Sequence, residues 1–299
     1  LAARTLPNVP EIFMLAGFID RRQGRWETST KNFIEALRLD PRNTYNLQQL
    51  AVSYQFERRF AEAATALDLA REILPNDPGL QVARAAIDFH QRADPKPMHA
   101  AIAKIVAQDP NAAFGLADEW LTLALCERDP VAADHALAAL SREGYTNEGI
   151  LFPRAWCAAL VARVRGDAPA AQAAFISARR DVERALRDEP NQAQSLCVLG
   201  MIDAALGHKE DALRESRLAA ELLPIAKESI NGGLVAEYLA VTYAWVGEKE
   251  AALAQLRVVT RIPSEVSYGL LRLHPFWDTL RGDPRFDEIV ALLAPGAAP

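Results

Sequence analysis

Four prolines set the frame of this chain. Pro41 and Pro75 stand 34 residues apart, and Pro190 and Pro224 repeat the interval. Ahead of each closing proline lies a turn and then a helical pattern: Gly24 before Pro41, Arg58 before Pro75, Gly207 before Pro224. Between the turns apolar residues recur at intervals of three and four, the spacing of a helix buried along one stripe. No stretch alternates with period two over a strand's length. A unit of this size holds two helices and a turn, and it can bury its apolar face only by stacking on a neighbour.

The residues inside the units are as telling as their length. The second unit places Leu47, Leu50, Ala51 and Tyr54 on its first helix, Ala63, Leu67 and Ala70 on its second, and Pro75 at the stop. The first has Phe13, Ala16, Gly17, Phe33, Ala36 and Pro41, with Asp20 in the aromatic slot. The sixth has Leu196, Leu199, Gly200, Ala212, Ala219 and Pro224, with Asp203 in that slot, and the last has Leu239, Ala240, Tyr243, Gly247, Ala252 and Leu256, ending at Pro263. Small residues sit where paired helices cross, because a larger side chain there overpacks the crossing at about 1–3 kcal/mol. This pattern resembles the tetratricopeptide repeat. The resemblance implies an all-α, right-handed superhelical solenoid of about seven helical hairpins with a C-terminal capping helix.

The whole chain is expected to be one solenoid, with two regular hairpins over 10–75, divergent ones over 76–150, three more over 151–263 and a cap over 264–299. In the divergent part Asp77-Pro78 and Asp129-Pro130 open helices to about Gln91 and Arg142, since Asp caps well and Pro suits the first helical position. Lys96 to Gln108 and Ala112 to Glu127 are helical between them. A hairpin from Phe152 to Arg165 turns at Gly166-Asp167 into a long helix ending near Asp188. An insertion from Ile225 to Gly232 separates the last two hairpins, and Asp283-Pro284 starts the closing helix.

The runs LCVLGMIDAALGHKEDALRESRLAAELLP and LHPFWDTLRGDPRF narrow the resemblance to the C-terminal repeat regions of bacterial multidomain signalling proteins. Such regions follow serine/threonine kinase, cyclase or winged-helix regulator domains. What this implies is a protein-interaction or regulatory module of a cytoplasmic or membrane-associated parent, of which this chain, beginning at Leu1, is a fragment.

Composition excludes other classes. The 33 basic and 39 acidic residues leave a net charge of −6, no footprint for nucleic acid. No uninterrupted run of about eighteen apolar residues offers a membrane span. Cys126, Cys157 and Cys197 lack CxxC spacing and read as reduced core thiols. His90, His99, His135, His208 and His274 form no metal-ligand pattern, and no nucleophile elbow, phosphate loop or kinase signature is present. No catalysis, cofactor or metal is expected.

The expected work is binding. In stacked hairpins the first helix lines the concave face, and residues one turn off the packing stripe give the candidate groove. These are Met14, Phe18, Arg21 and Arg22, then Tyr45, Gln48, Val52 and Phe56, then Phe89 and His90. Arg165, Met201, Glu237, Val241 and Trp245 complete the set. Their apolar and aromatic character suits an amphipathic helix or extended peptide, unless a folded-back segment or the tail covers them. Met14 and Phe18 stand where a carboxylate clamp needs Lys and Asn, so a chaperone-type clamp is disfavoured. Two alternatives remain: a small molecule held among the irregular middle repeats near Trp120, Cys126, Trp156 and Cys157, or an oligomerisation module. Trp277, Phe276 and Phe286 are expected to seal the last hairpin.

Overall fold

A computed structural model describes residues 8–296. The described residues form seven antiparallel helical hairpins and a cap. The hairpins are α1 (Pro10–Arg22) with α2 (Trp26–Leu39), α3 (Thr44–Phe56) with α4 (Phe60–Ile73), and α5 (Pro78–Arg92) with α6 (Lys96–Gln108). A 3-10 turn over Pro110–Gly115 leads to α7 (Ala117–Glu127) and α8 (Pro130–Ala139). Then come α9 (Arg154–Arg165) with α10 (Ala168–Asp188), α11 (Ala193–Leu206) with α12 (Lys209–Leu222), and α13 (Ser229–Trp245) with α14 (Lys249–Val259). The cap comprises α15 (Tyr268–Leu273), a 3-10 turn over Pro275–Leu280 and α16 (Pro284–Ala291).

Each hairpin turns through one left-handed residue: Gly24, Arg58, Ala93, Arg128, Gly166, Gly207 and Gly247, with φ between 56° and 83°. Three of the seven are not glycine, and they occupy consecutive hairpins. Ordinary side chains reach this region only at a cost, so something must hold them there; Arg58 returns below. The acid-proline openings behave as the sequence implies. Asp77 accepts from the Leu80 amide at 2.8 Å and Asp129 from Val131 at 2.9 Å, each with Pro next on the helix.

Small residues occupy the crossings. Ala51, Ala63, Ala240 and Ala252 have no exposed surface. A Cβ on Gly200 would lie 2.0 Å from the Ser216 hydroxyl. The aromatic slot is filled in two chemically different ways to one end. Tyr54 lies under the Arg59 guanidinium, 4.4 Å from ring centroid. Where Asp takes the slot, its carboxylate bonds to the side chain five positions on: Asp20 accepts from Arg25 Nε at 2.8 Å, and Asp203 lies 2.7 Å from His208 Nδ1. In each case the slot residue pins the start of the second helix.

Two segments depart from the expected course. Helix α8 stops at Ala139 rather than near Arg142, and an antiparallel β-hairpin follows, β1 (Gly144–Asn147) and β2 (Ile150–Pro153). Its two-residue turn, Glu148-Gly149, has positive φ at both positions, the turn that matches strand twist. Strands of four residues are too short to register as alternation, and Phe152 belongs to β2 rather than to a helix. Half of the expected insertion is helical: Glu228 caps the Ile230 and Asn231 amides at 3.0 and 2.7 Å, so α13 begins at Ser229 and runs through Gly232-Gly233. A Cβ on Gly232 would lie 2.7 Å from the Ile225 amide nitrogen, and its absence lets the loop cross close to the helix.

The cap is sealed by aromatics. Trp277, Leu280 and Phe286 are buried in one cluster with Trp156 and Leu256, and Trp245 Nε1 donates to the Phe276 carbonyl at 3.0 Å. Among the described residues no helix is long and apolar enough to cross a membrane.

Candidate functional site: a cavity behind the closing segment

The chain between α14 and the cap does not run off the end of the array. It folds back across the first helices of the early hairpins. Ser264 donates its amide to the Phe56 carbonyl at 3.0 Å. Arg58, at the left-handed turn of the second hairpin, reaches about 200 residues along the sequence to donate to four acceptors. These are Val266 O at 3.0 Å, Ile262 O at 2.9 Å, Val259 O at 3.3 Å and Ser264 Oγ at 2.7 Å. Those bonds explain why a non-glycine residue holds a left-handed backbone there. Further along, His90 Nδ1 meets Ser267 Oγ at 3.0 Å. Gly269 packs so closely that an added Cβ would fall 1.8 Å from the Phe89 carbonyl oxygen. Arg128 joins Asp278 at 2.7 Å. On the other side, Ser229 Oγ donates to Arg21 O at 2.5 Å, bringing α13 against α1.

The space left behind this segment is a cavity of about 360 Å³. Its walls come from α3, α5, α7, α13, the β-hairpin and the cap, including Val52, Phe56, Phe89, Leu121, Tyr145, Tyr238 and Trp277. Five acids also line it, Asp118, Glu119, Glu148, Glu237 and Glu265, and among the described residues no Lys or Arg does. Burial pushes Glu237 up to about 8, the Glu265 charge adding to the effect and Arg58 opposing it. Glu265 rises to about 7 through burial, although Asn147 Nδ2 donates to it at 2.9 Å. Glu119 rises to about 8 by burial and by the neighbouring Asp118 carboxyl. The two histidines go the other way: burial lowers His90 to about 4 and His274 to about 3. Among the described residues one fully buried polar atom of this wall has no partner, Glu237 Oε2.

Five of the residues expected in a groove meet at this cavity: Val52, Phe56, Phe89, His90 and Glu237. The others lie elsewhere. Met14 and Phe18 pack against the second hairpin, with Tyr45 exposed beside Phe18 at 6.3 Å. Arg21 is buried and donates to Gln49 and Ser53, next to half-buried Gln48. Arg22 faces Glu148 and Glu228 at 3.7 and 3.5 Å. Arg165 pairs with Asp134. Met201 and Val241 have no exposed surface, and Trp245 stacks on Trp156 at 5.9 Å. Trp120, Cys126, Trp156 and Cys157 are not in the cavity wall; burial raises both thiols to about 12. Among the described residues no group of three His, Cys, Asp or Glu side chains is placed to hold a metal.

Sequence reasoning missed Glu119, Glu265, Tyr145, Tyr238, Asn147 and His274. Tyr145 and Asn147 sit on the unforeseen β-hairpin, and Glu265 on a stretch with no repeat register.

Seven stacked hairpins with small-residue crossings and left-handed turns decide the fold. It is a tetratricopeptide-type solenoid. No protein-family model and no curated protein matches the sequence. Among solved structures it is similar to a tetratricopeptide repeat protein from Parabacteroides merdae, at 12 % identity and TM-score 0.49 over 95 % of this chain and 98 % of that one. It is also similar to PilW, a widely conserved type IV pilus biogenesis factor, at 15 % identity and TM-score 0.34 over 84 % and 92 %. A third is a thermophilic tetratricopeptide protein of Thermus thermophilus, at 20 % and 0.30 over 73 % and 91 %. The likeness concerns the course of the helices alone.

Proposed function

We propose that this chain is a non-catalytic binding module whose recognition site is the cavity behind the closing segment. One observation carries the reading. The first-helix face, which an open array offers to an extended peptide, is here spanned by residues 262–271 through Arg58, Ser264, Ser267 and Gly269. A volume of about 360 Å³ lies at the lower end of the roughly 300–1,000 Å³ of small-molecule sites. Apolar walls with a few converging polar groups have the same character. As the regulatory part of a larger bacterial signalling protein, such a module would couple ligand occupancy to the closure of its own superhelix.

Thermal-shift titration with small metabolites tests this, because a ligand that binds only the native state raises the apparent stability by mass action. A cavity-filling Thr122→Trp variant is expected to fold, keep its helicity and lose the shift. Retention of full binding in that variant would place recognition outside the cavity.

A second reading has its own support. Leu15, Ile19 and Tyr45 of the first two hairpins are each more than half exposed, an apolar patch of the kind that marks contact with another protein. It is independent of the cavity, and a patch variant such as Ile19→Asp separates the two by abolishing partner association without altering ligand binding.

A further inference from the structure

The cavity's chemistry selects among ligands. We propose that it takes a small organic cation, a primary amine carried on an apolar body, with the ammonium seated at Glu237; this rests on the cavity reading above. Five carboxyl groups face one space without a single Lys or Arg among the described residues of its wall, so it offers no partner to an anionic ligand, and each carboxyl that ionises repels one. Two of the five are already engaged by their surroundings: Glu148 by Arg22 and Glu265 by Asn147. The neighbouring Asp118 carboxyl raises the proton affinity of Glu119.

Glu237 is different. It borders the cavity, it is 7 % exposed, and its fully buried Oε2 has no donor among the described residues. A buried acceptor left unmade is costly, and an ammonium supplies up to three donors in one small group. Arg58, the one cation among the described residues near enough to influence it, gives its own donors to Val259, Ile262, Ser264 and Val266. It is therefore a latch of the closing segment rather than the partner of Glu237.

The rest of the wall suits the other end of such a molecule. Tyr238 follows Glu237 in sequence, and its ring meets Phe152 edge-on at 5.5 Å. Together with Tyr145, Phe56, Phe89 and Trp277 it gives aromatic faces, which attract cations and pack against apolar bodies.

Seating a cation beside Glu237 favours its charged form. Binding therefore expels a proton from that carboxyl when the free site is protonated. The groups that bear on Glu237 are Glu265, which raises its affinity for the proton, and Arg58, which lowers it. Uptake of the amine strengthens as pH rises towards 8.

The test uses the full chain and three matched series of graded length: primary alkyl- and arylalkyl-amines, the corresponding alcohols and the corresponding carboxylates. Binding is read by calorimetry in two buffers of different ionisation enthalpy. The amine series is expected to bind at least about tenfold more tightly than the alcohols, as a charge-assisted pair exceeds a neutral one, with proton release and no carboxylate binding. Glu237→Gln is expected to remove that tenfold preference and the proton release while leaving the alcohols unchanged, its helicity being checked in parallel. Glu148→Gln, already engaged elsewhere, is expected to keep the preference. Equal binding of amines and alcohols, or an unaltered preference in Glu237→Gln, overturns the cationic class and leaves the cavity reading standing. Absence of binding across all three series overturns both.

Discussion

The first two hairpins and the segment between α14 and the cap are built on opposite principles. The hairpins repeat one solution: a small-residue crossing, a left-handed turn and a slot residue that pins the second helix. The contacts that make each hairpin are local, so they can be read from a window of 34 residues. The closing segment has no period and few contacts of its own. Its position depends on groups about 200 residues away, Phe56, Arg58 and His90. Repetition builds the frame, and the aperiodic part turns an open concave surface into a cavity.

The comparison breaks most visibly at the closest approach. Gly269→Ala places a Cβ against the Phe89 carbonyl, and neither backbone can yield without parting the segment from α5. We expect a loss of about 3 kcal/mol or more in chemical denaturation, with helicity largely retained and solution scattering reporting an expanded particle. Gly207→Ala is the control within a regular turn. Its site is open, and only the positive φ is strained, so about 1 kcal/mol is expected with no change of shape.

Arg58 and Arg59 are neighbours with unequal duties. Arg58→Ala keeps a non-glycine residue at the same left-handed position but removes four hydrogen bonds to three carbonyls and a hydroxyl. The expected cost is about 2–3 kcal/mol by denaturant midpoint, together with loss of ligand-induced stabilisation. Arg59→Ala removes an exposed guanidinium from the Tyr54 ring and should cost about 0.5–1 kcal/mol. Equal effects of the two would erase the distinction between latch and hairpin.

How much of this the sequence disclosed follows the same division. Leu47, Tyr54, Ala63 and Pro75 announced a hairpin because their partners lie within one repeat. Asp283 announced the last helix, and it does cap Arg285 at 3.0 Å. The candidate site was legible only where it sits on repeat register: Val52, Phe56, Phe89, His90 and Glu237 fall one turn off the packing stripe and do reach the cavity. Glu265 and Tyr145 could not be found in this way, since nothing local says that residue 264 will meet residue 56. Nor does periodicity distinguish a groove open to a peptide from one occupied by the chain itself.

The cavity also carries a smaller, pH-dependent signature that the regular hairpins lack. Glu237 titrates near 8 in the folded chain against an ordinary 4.5, so the native state holds that proton more tightly than the unfolded one. Its contribution to stability is complete below about pH 4.5 and is lost as the pH climbs through 8. Glu265, near 7, acts in the same direction over a narrower range. Stability profiles of the wild type and Glu237→Gln should therefore agree near pH 4.5 and diverge in favour of the variant towards pH 8. His90 and His274, with lowered values, contribute stability above their unfolded pKa that fades in acid, equally in both proteins, and so drop out of the difference.

Hydrogen exchange of residues 262–271 tests closure most directly. The Ser264 amide donates to Phe56 O across the superhelix, and only a closed chain protects it. Exchange as slow as that of α11 and α13 in the wild type, accelerated in Gly269→Ala and in Arg58→Ala, is the result expected. Exchange of this segment at the rate of a free peptide in the wild type would contradict closure, and with it the cavity.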